Sequence, residues 1–427
     1  MNILMIFRNH PFEASGAVTL DLFNDFKAKG HNVKLLVNKY SKDYPEGIVS
    51  METAYLFWKN RVVYKLKTIF KLHKKDSTNH RYHFHEIDEQ QTFYSTASIL
   101  KKAGMKPDAI IILFAGNFIN SKNIYELNQR TGTPVYWMMY DTSPLTGGCH
   151  YSWDCKGYQN SCGSCPGLFS KDPHDKTYKN LQFKKQYMDK TDISIVLASE
   201  WQNQQAQKSS VFKNHPVHKI FISINPEVFK PVAKNISHPK VGIPEGKKVI
   251  FFGAKSFNDE RKGFQYLREA LETLKKMLIN EPDLLGKVFL LIAGEETNKI
   301  GQLPFESLNL GMLDNNYGVA SAYQAADLYV CPSIEDAGPS MVNQSIMCGT
   351  PVVSFAQGVS LDLVITGKTG YRVKMNDSAD MAKGIYEILR MTDEEHTHMK
   401  NNCREMGLEL FHPEVSINNW LKIIGAN

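Results

Sequence analysis

A chain of 427 residues is too long for one ordinary hydrophobic core and suits two domains of about 200 residues each. Its 42% of hydrophobic residues is ordinary for a globular protein, and no apolar run reaches the roughly eighteen residues of a membrane-crossing helix. A net charge of +6 suits anionic partners such as phosphates or lipid headgroups without calling for nucleic acid. Residues 3–7 read as a buried strand directly after Met1. Their apolar run is too short for a secretion signal, so a cytoplasmic protein is expected. A loop holding Ser15, Gly16 and Ala17 then leads to a helix with Val18, Leu22, Phe23 and Phe26 on one face. Gly30 ends that helix before a strand at 33–37. This βαβ opening predicts a doubly wound sheet. Gly16 sits where main-chain N–H groups can meet an anion or a substrate hydroxyl.

Residues 57–75 carry seven Lys and Arg and no acid, with Val62, Leu66, Ile69 and Phe70 on one helical face. This predicts a basic amphipathic helix, suited either to an anionic membrane surface or to packing as an ordinary surface helix. His80, His83 and His85 are spaced poorly for one helical face and read as a surface loop. Further strands are predicted at 109–114, 135–139, 193–197 and 217–222. A Pro-, Gly- and Lys-rich stretch at 229–247 shows no helical period and reads as a linker. Beyond it a second α/β series has strands at 249–253, 288–293, 328–331 and 352–355. Helices near 263–277, 319–326 and 379–389 alternate with them, and a last helix is predicted at 413–424. The expected division is 1–232, 248–410 and a closing segment 411–427.

Two stretches carry the chemistry of the second domain. Gly253 ends a strand, and Arg261, Lys262 and Gly263 precede a helix. Adjacent cations at a helix start oppose the helix dipole, and a bound diphosphate would resolve that conflict. Lys255 and Arg261 are the candidates for a cation to act with Lys262. Residues 328–355, LYVCPSIEDAGPSMVNQSIMCGTPVVSF, read as buried strand, polar turn, helix and buried strand. Asp336 lies in the turn after the first strand, and Gln344 lies two turns into the helix. Glu335 beside Asp336 is the other candidate acid. Ligands of open α/β sheets bind at this edge.

In the first domain Asp141 follows a predicted strand end and opens a Gly-rich loop. Cys149, Cys155, Cys162 and Cys165 follow with the spacing C-x5-C-x6-C-x2-C. The loop 149–166 is too rich in glycine and proline to form a core. Four thiolates with a closing C-x2-C suit a closed structural zinc site, ahead of free thiols or disulfides.

These residues resemble the retaining glycosyltransferases of family 4. That family commonly reads Pro-Ser-x-x-Glu, six or seven residues, then Glu-Ala-x-x-x-Gly-x-Pro-Val-Val. This chain keeps Pro332-Ser333 and Gly349-Thr350-Pro351-Val352-Val353; Asp336 stands near the first acid and Gln344 replaces the second. Lys262-Gly263 matches the family's phosphate-binding Lys-Gly, while Ala254 stands where an Arg is usual. Thr146-Gly147-Gly148-Cys149-His150-Tyr151 and the cysteines after it resemble bacterial exopolysaccharide, colanic-acid-type members, although Tyr140 replaces the His before Asp141. The resemblance implies the GT-B fold: two Rossmann-like doubly wound α/β domains facing a central cleft, with the last helix packing back on the first domain.

The resemblance further implies a hexosyltransferase that moves a sugar with retention. Its donor would be a UDP- or GDP-linked sugar, and its acceptor a glycan or lipid-linked hydroxyl at the inner face of the plasma membrane. The donor would meet Gly253, Lys255, Arg261, Lys262, Glu335, Asp336, Gly338, Met341, Val342 and Gln344, with Gly16 from the first domain. Asp141 and Asp336 would be the catalytic carboxylates. No Asp-x-Asp motif occurs, so no divalent cofactor is expected for the chemistry. The departures at Tyr140, Ala254, Phe221-Ile222-Ser223-Ile224-Asn225 and Gln344 support an alternative, a donor-binding pseudoenzyme that scaffolds a partner transferase.

Overall fold

The computed structural model describes the chain except residues 14–15, 54, 56–77, 85–87, 296–299, 339 and 427. The basic stretch 57–75 and His85 therefore lie outside the described residues. The chain forms two compact units: Met1–Ala198 with Gln202–Ile220 and Ile417–Asn427, and Ser199–Trp201 with Phe221–Ser416.

In the first unit the elements run β1 Asn2–Phe7, α1 Ala17–Ala28, β2 Asn32–Val37, β3 Ile48–Ser50, α2 Thr96–Ala103, β4 Ala109–Phe114 and α3 Ser121–Thr131. They continue with β5 Val135–Met138, α4 Lys176–Met188, β6 Ile193–Leu197, α5 Glu200–Lys208, whose first two residues Glu200 and Trp201 belong to the second unit, and β7 Val217–Lys219. Among the described residues the sheet has seven strands in the order β3-β2-β1-β4-β5-β6-β7, all parallel. Strands covered on both faces need apolar side chains on both. β1, with Ile3 to Phe7 all buried, and β4, with Ala109 to Leu113 all buried, have that composition.

The second unit begins with α6 Lys234–Val241, β8 Lys248–Ser256, α7 Phe264–Met277, α8 Pro282–Leu285, β9 Val288–Glu295 and β10 Glu306–Asn309. It continues with α9 Asn316–Ala325, β11 Leu328–Cys331, α10 Ser340–Met347, β12 Val352–Phe355, α11 Ser360–Leu363, β13 Gly370–Val373, α12 Ser378–Leu389 and α13 Asp393–Phe411. Its six described strands are parallel in the order β10-β9-β8-β11-β12-β13. The period-two alternation of β8 divides its side chains between two cores. Val249 and Phe251 enter one, and Ile250 and Phe252 the other.

The stretch 229–247 is not a plain linker. It contains α6, with Pro239 inside the helix. Few apolar residues mark that helix, and polar contacts hold it. Lys234 pairs with buried Asp327, and Ser237 and His238 are buried. The strand predicted at 217–222 stops at Lys219. The closing helix α14, Pro413–Ile423, brings its last turns into the first unit. There the Tyr136 hydroxyl donates to the Ile423 carbonyl at 2.7 Å, and Trp420 meets Phe26 edge-on at 6.3 Å. Among the described residues no helix is long and apolar enough to cross a membrane.

Both strand orders reverse beside the first strand of the unit, between β1 and β4 and between β8 and β11. In open α/β sheets the carboxyl ends of the strands at such a reversal form a crevice. The loops after β8 and β11 are therefore where the second unit's chemistry is to be sought.

Candidate functional site

The turn after β8 is built by its own side chains. Asp259 accepts the main-chain N–H of Arg261 at 3.1 Å and closes on the Arg261 guanidinium at 2.5 Å. Gly263 ends this turn and starts α7 with φ of +62°, a conformation that favours glycine. A Cβ there would stand 1.9 Å from the Pro332 carbonyl oxygen, so the absence of a side chain lets the loops after β8 and β11 touch. The Ile334 N–H donates to the Arg261 carbonyl at 2.8 Å and ties the two loops together.

That contact brings Lys262 to Asp336, Nζ to Oδ2 at 2.6 Å. Burial alone would lower the Lys262 ammonium, but Asp336 outweighs it and holds the group above its ordinary value. Burial would raise Asp336, but Lys262, Arg261 and the Gly338 N–H outweigh it and hold the carboxyl low. Both shifts favour the ionised pair. Gly253, Lys262, Tyr329, Cys331, Ser333 and Met341 share the lining of one recess beside the pair.

The other expected donor residues fall into distinct places. The Arg261 side chain is buried, with its second contact to the Glu335 carbonyl at 3.5 Å. Lys255 is exposed near the end of β8. Glu335 is buried beside Asp336, whose other oxygen accepts the Gly338 N–H at 3.3 Å. Gln344 is half-buried on α10. Val342 is fully buried in the apolar core, so its side chain packs the unit. Asp362 accepts the Glu200 N–H at 2.8 Å within the same unit.

In the first unit Asp141 lies in the loop after β5. One carboxylate oxygen accepts the Ser143 N–H at 2.7 Å, and the other lies 2.6 Å from His150 Nδ1. Burial raises the Asp141 carboxyl, but His150 and Ser143 outweigh it and hold it below the usual carboxylate range. The Thr142 N–H and hydroxyl both donate to the His150 carbonyl, at 3.1 and 2.8 Å. From α4, buried Lys184 donates to the Ser143 and Thr146 carbonyls at 2.7 and 2.9 Å and faces Glu89 at 3.6 Å. Asn180 donates to the Gly147 carbonyl at 2.9 Å. Sequence reasoning missed both His150 as the partner of Asp141 and Lys184 as the anchor of the loop. Eight residues of aperiodic loop separate the first pair, and Lys184 reads as one cation of a polar helix. Tyr140 places its hydroxyl near Thr19, and burial pushes the phenol up to about 12. Gly16 is the N-cap of α1.

Cys149, Cys155, Cys162 and Cys165 line one small cavity of about 20 Å³. Burial pushes the Cys149 thiol up; Thr146 counters this, and the other three cysteines raise it again. Burial likewise pushes the Cys162 thiol up to about 12. Among the described residues no three His, Cys, Asp or Glu side chains stand as a closed metal-binding group, so the four sulfurs ring the cavity without converging.

With this geometry in view, residues 233–406 match the family "Glycosyl transferases group 1". These matched residues make up most of the second unit. The D-inositol 3-phosphate glycosyltransferase of Streptosporangium roseum is 26% identical over 172 residues, 38% of this chain and 38% of that protein. The phosphatidyl-myo-inositol mannosyltransferase of Mycobacterium leprae is 32% identical over 152 residues, 34% of this chain and 38% of that protein. The chain thus spans under two fifths of the length of these relatives. Over 100% of both chains, the fold is that of sucrose-phosphate synthase from Thermosynechococcus elongatus, with a TM-score of 0.65 and 17% identity. It is equally that of Anabaena Alr3699/HepE in complex with UDP and glucose, with a TM-score of 0.60, 13% identity and 100% of both chains covered. The two parallel-sheet units have the GT-B architecture expected from the sequence.

Proposed function

We propose that the protein is a retaining hexosyltransferase. It moves a sugar from a UDP- or GDP-linked donor to a hydroxyl of a glycan or lipid-linked acceptor, in cell-surface polysaccharide synthesis at the cytoplasmic face of the membrane. The observation that carries the reading is the Lys262–Asp336 pair at 2.6 Å, beside the strand-order reversal of the unit that matches the group 1 glycosyl transferases. An ammonium at the carboxyl edge of β8 suits the charge that builds on a departing diphosphate, and such fixed charges are a large source of rate. Asp336 lies within reach of the same recess and suits the hydroxyls of the donor sugar. Gln344 would take the ribose by neutral hydrogen bonds, which are weaker than those of a carboxylate. Asp141, kept ionised by His150 and Ser143, suits the acceptor hydroxyl or positive charge developing on the sugar. The similarity to a D-inositol 3-phosphate glycosyltransferase and a phosphatidyl-myo-inositol mannosyltransferase, and the UDP in the Anabaena structure, support an anionic donor and a lipid-linked or phosphorylated acceptor.

A panel of UDP- and GDP-sugars, scored for nucleotide release with and without membrane-lipid extract, tests this. Release from one donor, with the product keeping the donor's anomeric configuration, is the expected result. A product of opposite configuration would refute retention. Tight nucleotide binding with no release from any donor and acceptor would favour the pseudoenzyme, which the departures at Tyr140, Ala254 and Gln344 support.

A further inference from the structure

The four-cysteine loop has no part in the sugar chemistry above, yet it is built with care. Between β5 and α4 the described helical turns are the two short ones at Gly157–Gln159 and Pro166–Leu168. Apolar packing alone does not hold so long a glycine-rich loop. Each of three sulfurs receives main-chain N–H groups. The Gly157 N–H reaches Cys155 Sγ at 3.5 Å. Cys162 accepts from Gly147, and Cys165 from Gly167 and Leu168.

The C-x2-C turn takes a matching shape, with Cys162, Gly163 and Ser164 all at positive φ (56°, 93° and 44°). Gly157 packs against the sulfurs; a Cβ there would stand in ordinary contact, 3.4 Å from Cys155 Sγ and 3.7 Å from Cys162 Sγ. Four cysteine sulfurs lining one cavity, two of them from a C-x2-C turn, make up the ligand set of a tetrahedral metal site.

We propose that Cys149, Cys155, Cys162 and Cys165 bind one Zn²⁺ as a closed four-thiolate site that orders the loop carrying Asp141 and His150. The open ring of sulfurs contracts by side-chain rotation until each stands about 2.3 Å from the metal, and the thiol protons are released to solvent. With four protein ligands the metal has no open position and takes no part in sugar transfer. Cys149 is bonded in sequence to His150, and its carbonyl accepts the Thr146 hydroxyl at 2.6 Å. Closing the site therefore fixes the His150 end of the Asp141–His150 contact.

Elemental analysis of full-length protein, purified untagged under a phosphine reductant, should find about one zinc per chain. Chelator-stripped protein titrated with Co²⁺ alone should develop the strong near-ultraviolet thiolate-to-cobalt absorption and red d–d bands of a tetrahedral thiolate site, and Zn²⁺ should abolish both. Joint Cys155→Ser and Cys165→Ser replacement should remove these signals. Joint Cys348→Ser and Cys403→Ser replacement, in the second unit's core, should leave them intact. Folded, reduced wild-type protein with neither zinc nor the cobalt spectrum would overturn the site. The cobalt titration of the wild type decides this even if the serine variants fail to fold.

Discussion

The loops at the carboxyl edges of the two sheets are held in opposite ways. In the second unit a few charges on short turns do the work. Asp259 holds Arg261, Gly263 lets two loops touch, and Lys262 meets Asp336 across the contact. In the first unit a long loop is held from outside by α4 and internally by the Asp141–His150 pair and the cysteine ring. A short turn needs only its own residues to keep a charge in place. A long irregular loop needs an anchor for each main-chain group it buries. The first arrangement leaves a motif in the sequence, and the second leaves scattered single residues.

The contrast predicts where substitutions act. The largest effect belongs to Lys184→Met, which strips two buried carbonyls and Glu89 of their cation. Urea denaturation should show a loss of about 3–5 kcal/mol, the range for a broken buried pair, and a loss under 1 kcal/mol would mean that α4 does not anchor the loop. Next is Lys262→Ala, which should lower donor turnover about 10²–10³-fold and also cost stability, because it leaves the Asp336 carboxylate without its partner. Arg261→Ala should cost stability with little loss of turnover, because its guanidinium is committed to Asp259 and the Glu335 carbonyl. Equal loss of turnover in both would erase the distinction between them. Gln344→Glu restores a charged acceptor and should lower the donor KM by about tenfold, near 1–2 kcal/mol; a raised KM would remove Gln344 from the donor site.

The smallest effect is on acid stability. Asp336 is held below its unfolded value, so its contribution is present above roughly pH 4 and is lost as pH falls through the folded value. The difference in melting temperature between wild type and Asp336→Asn should shrink as pH drops below about 4. A constant difference would contradict the ion pair.

Much of the fold was legible because parallel strands buried on both faces announce themselves. The strands at 109–114, 193–197, 328–331 and 352–355 have the bounds expected from their apolar runs. Elements with thin apolar signatures were missed. β10 is an edge strand with three of its four residues exposed. β13, another edge strand, looks like a Thr-Gly turn. α13 buries Met399, Cys403, Gly407 and Phe411, a single stripe four residues apart among polar neighbours. At the site, sequence placed Lys262 and Asp336 on adjacent loops by motif. It could not show that they bind each other, because that contact depends on Gly263 meeting Pro332 from a distant segment. Val342, expected among the donor residues, has its side chain fully buried in the core, so any contact it makes with a donor would come from its main chain.

Calorimetric titration of UDP and GDP into wild-type and Lys262→Ala protein tests the central assignment most directly. One of the two nucleotides should bind the wild type, and the substitution should weaken it at least tenfold, because the ammonium beside Asp336 is the diphosphate's counter-charge. Equal affinity in the two proteins would contradict that assignment.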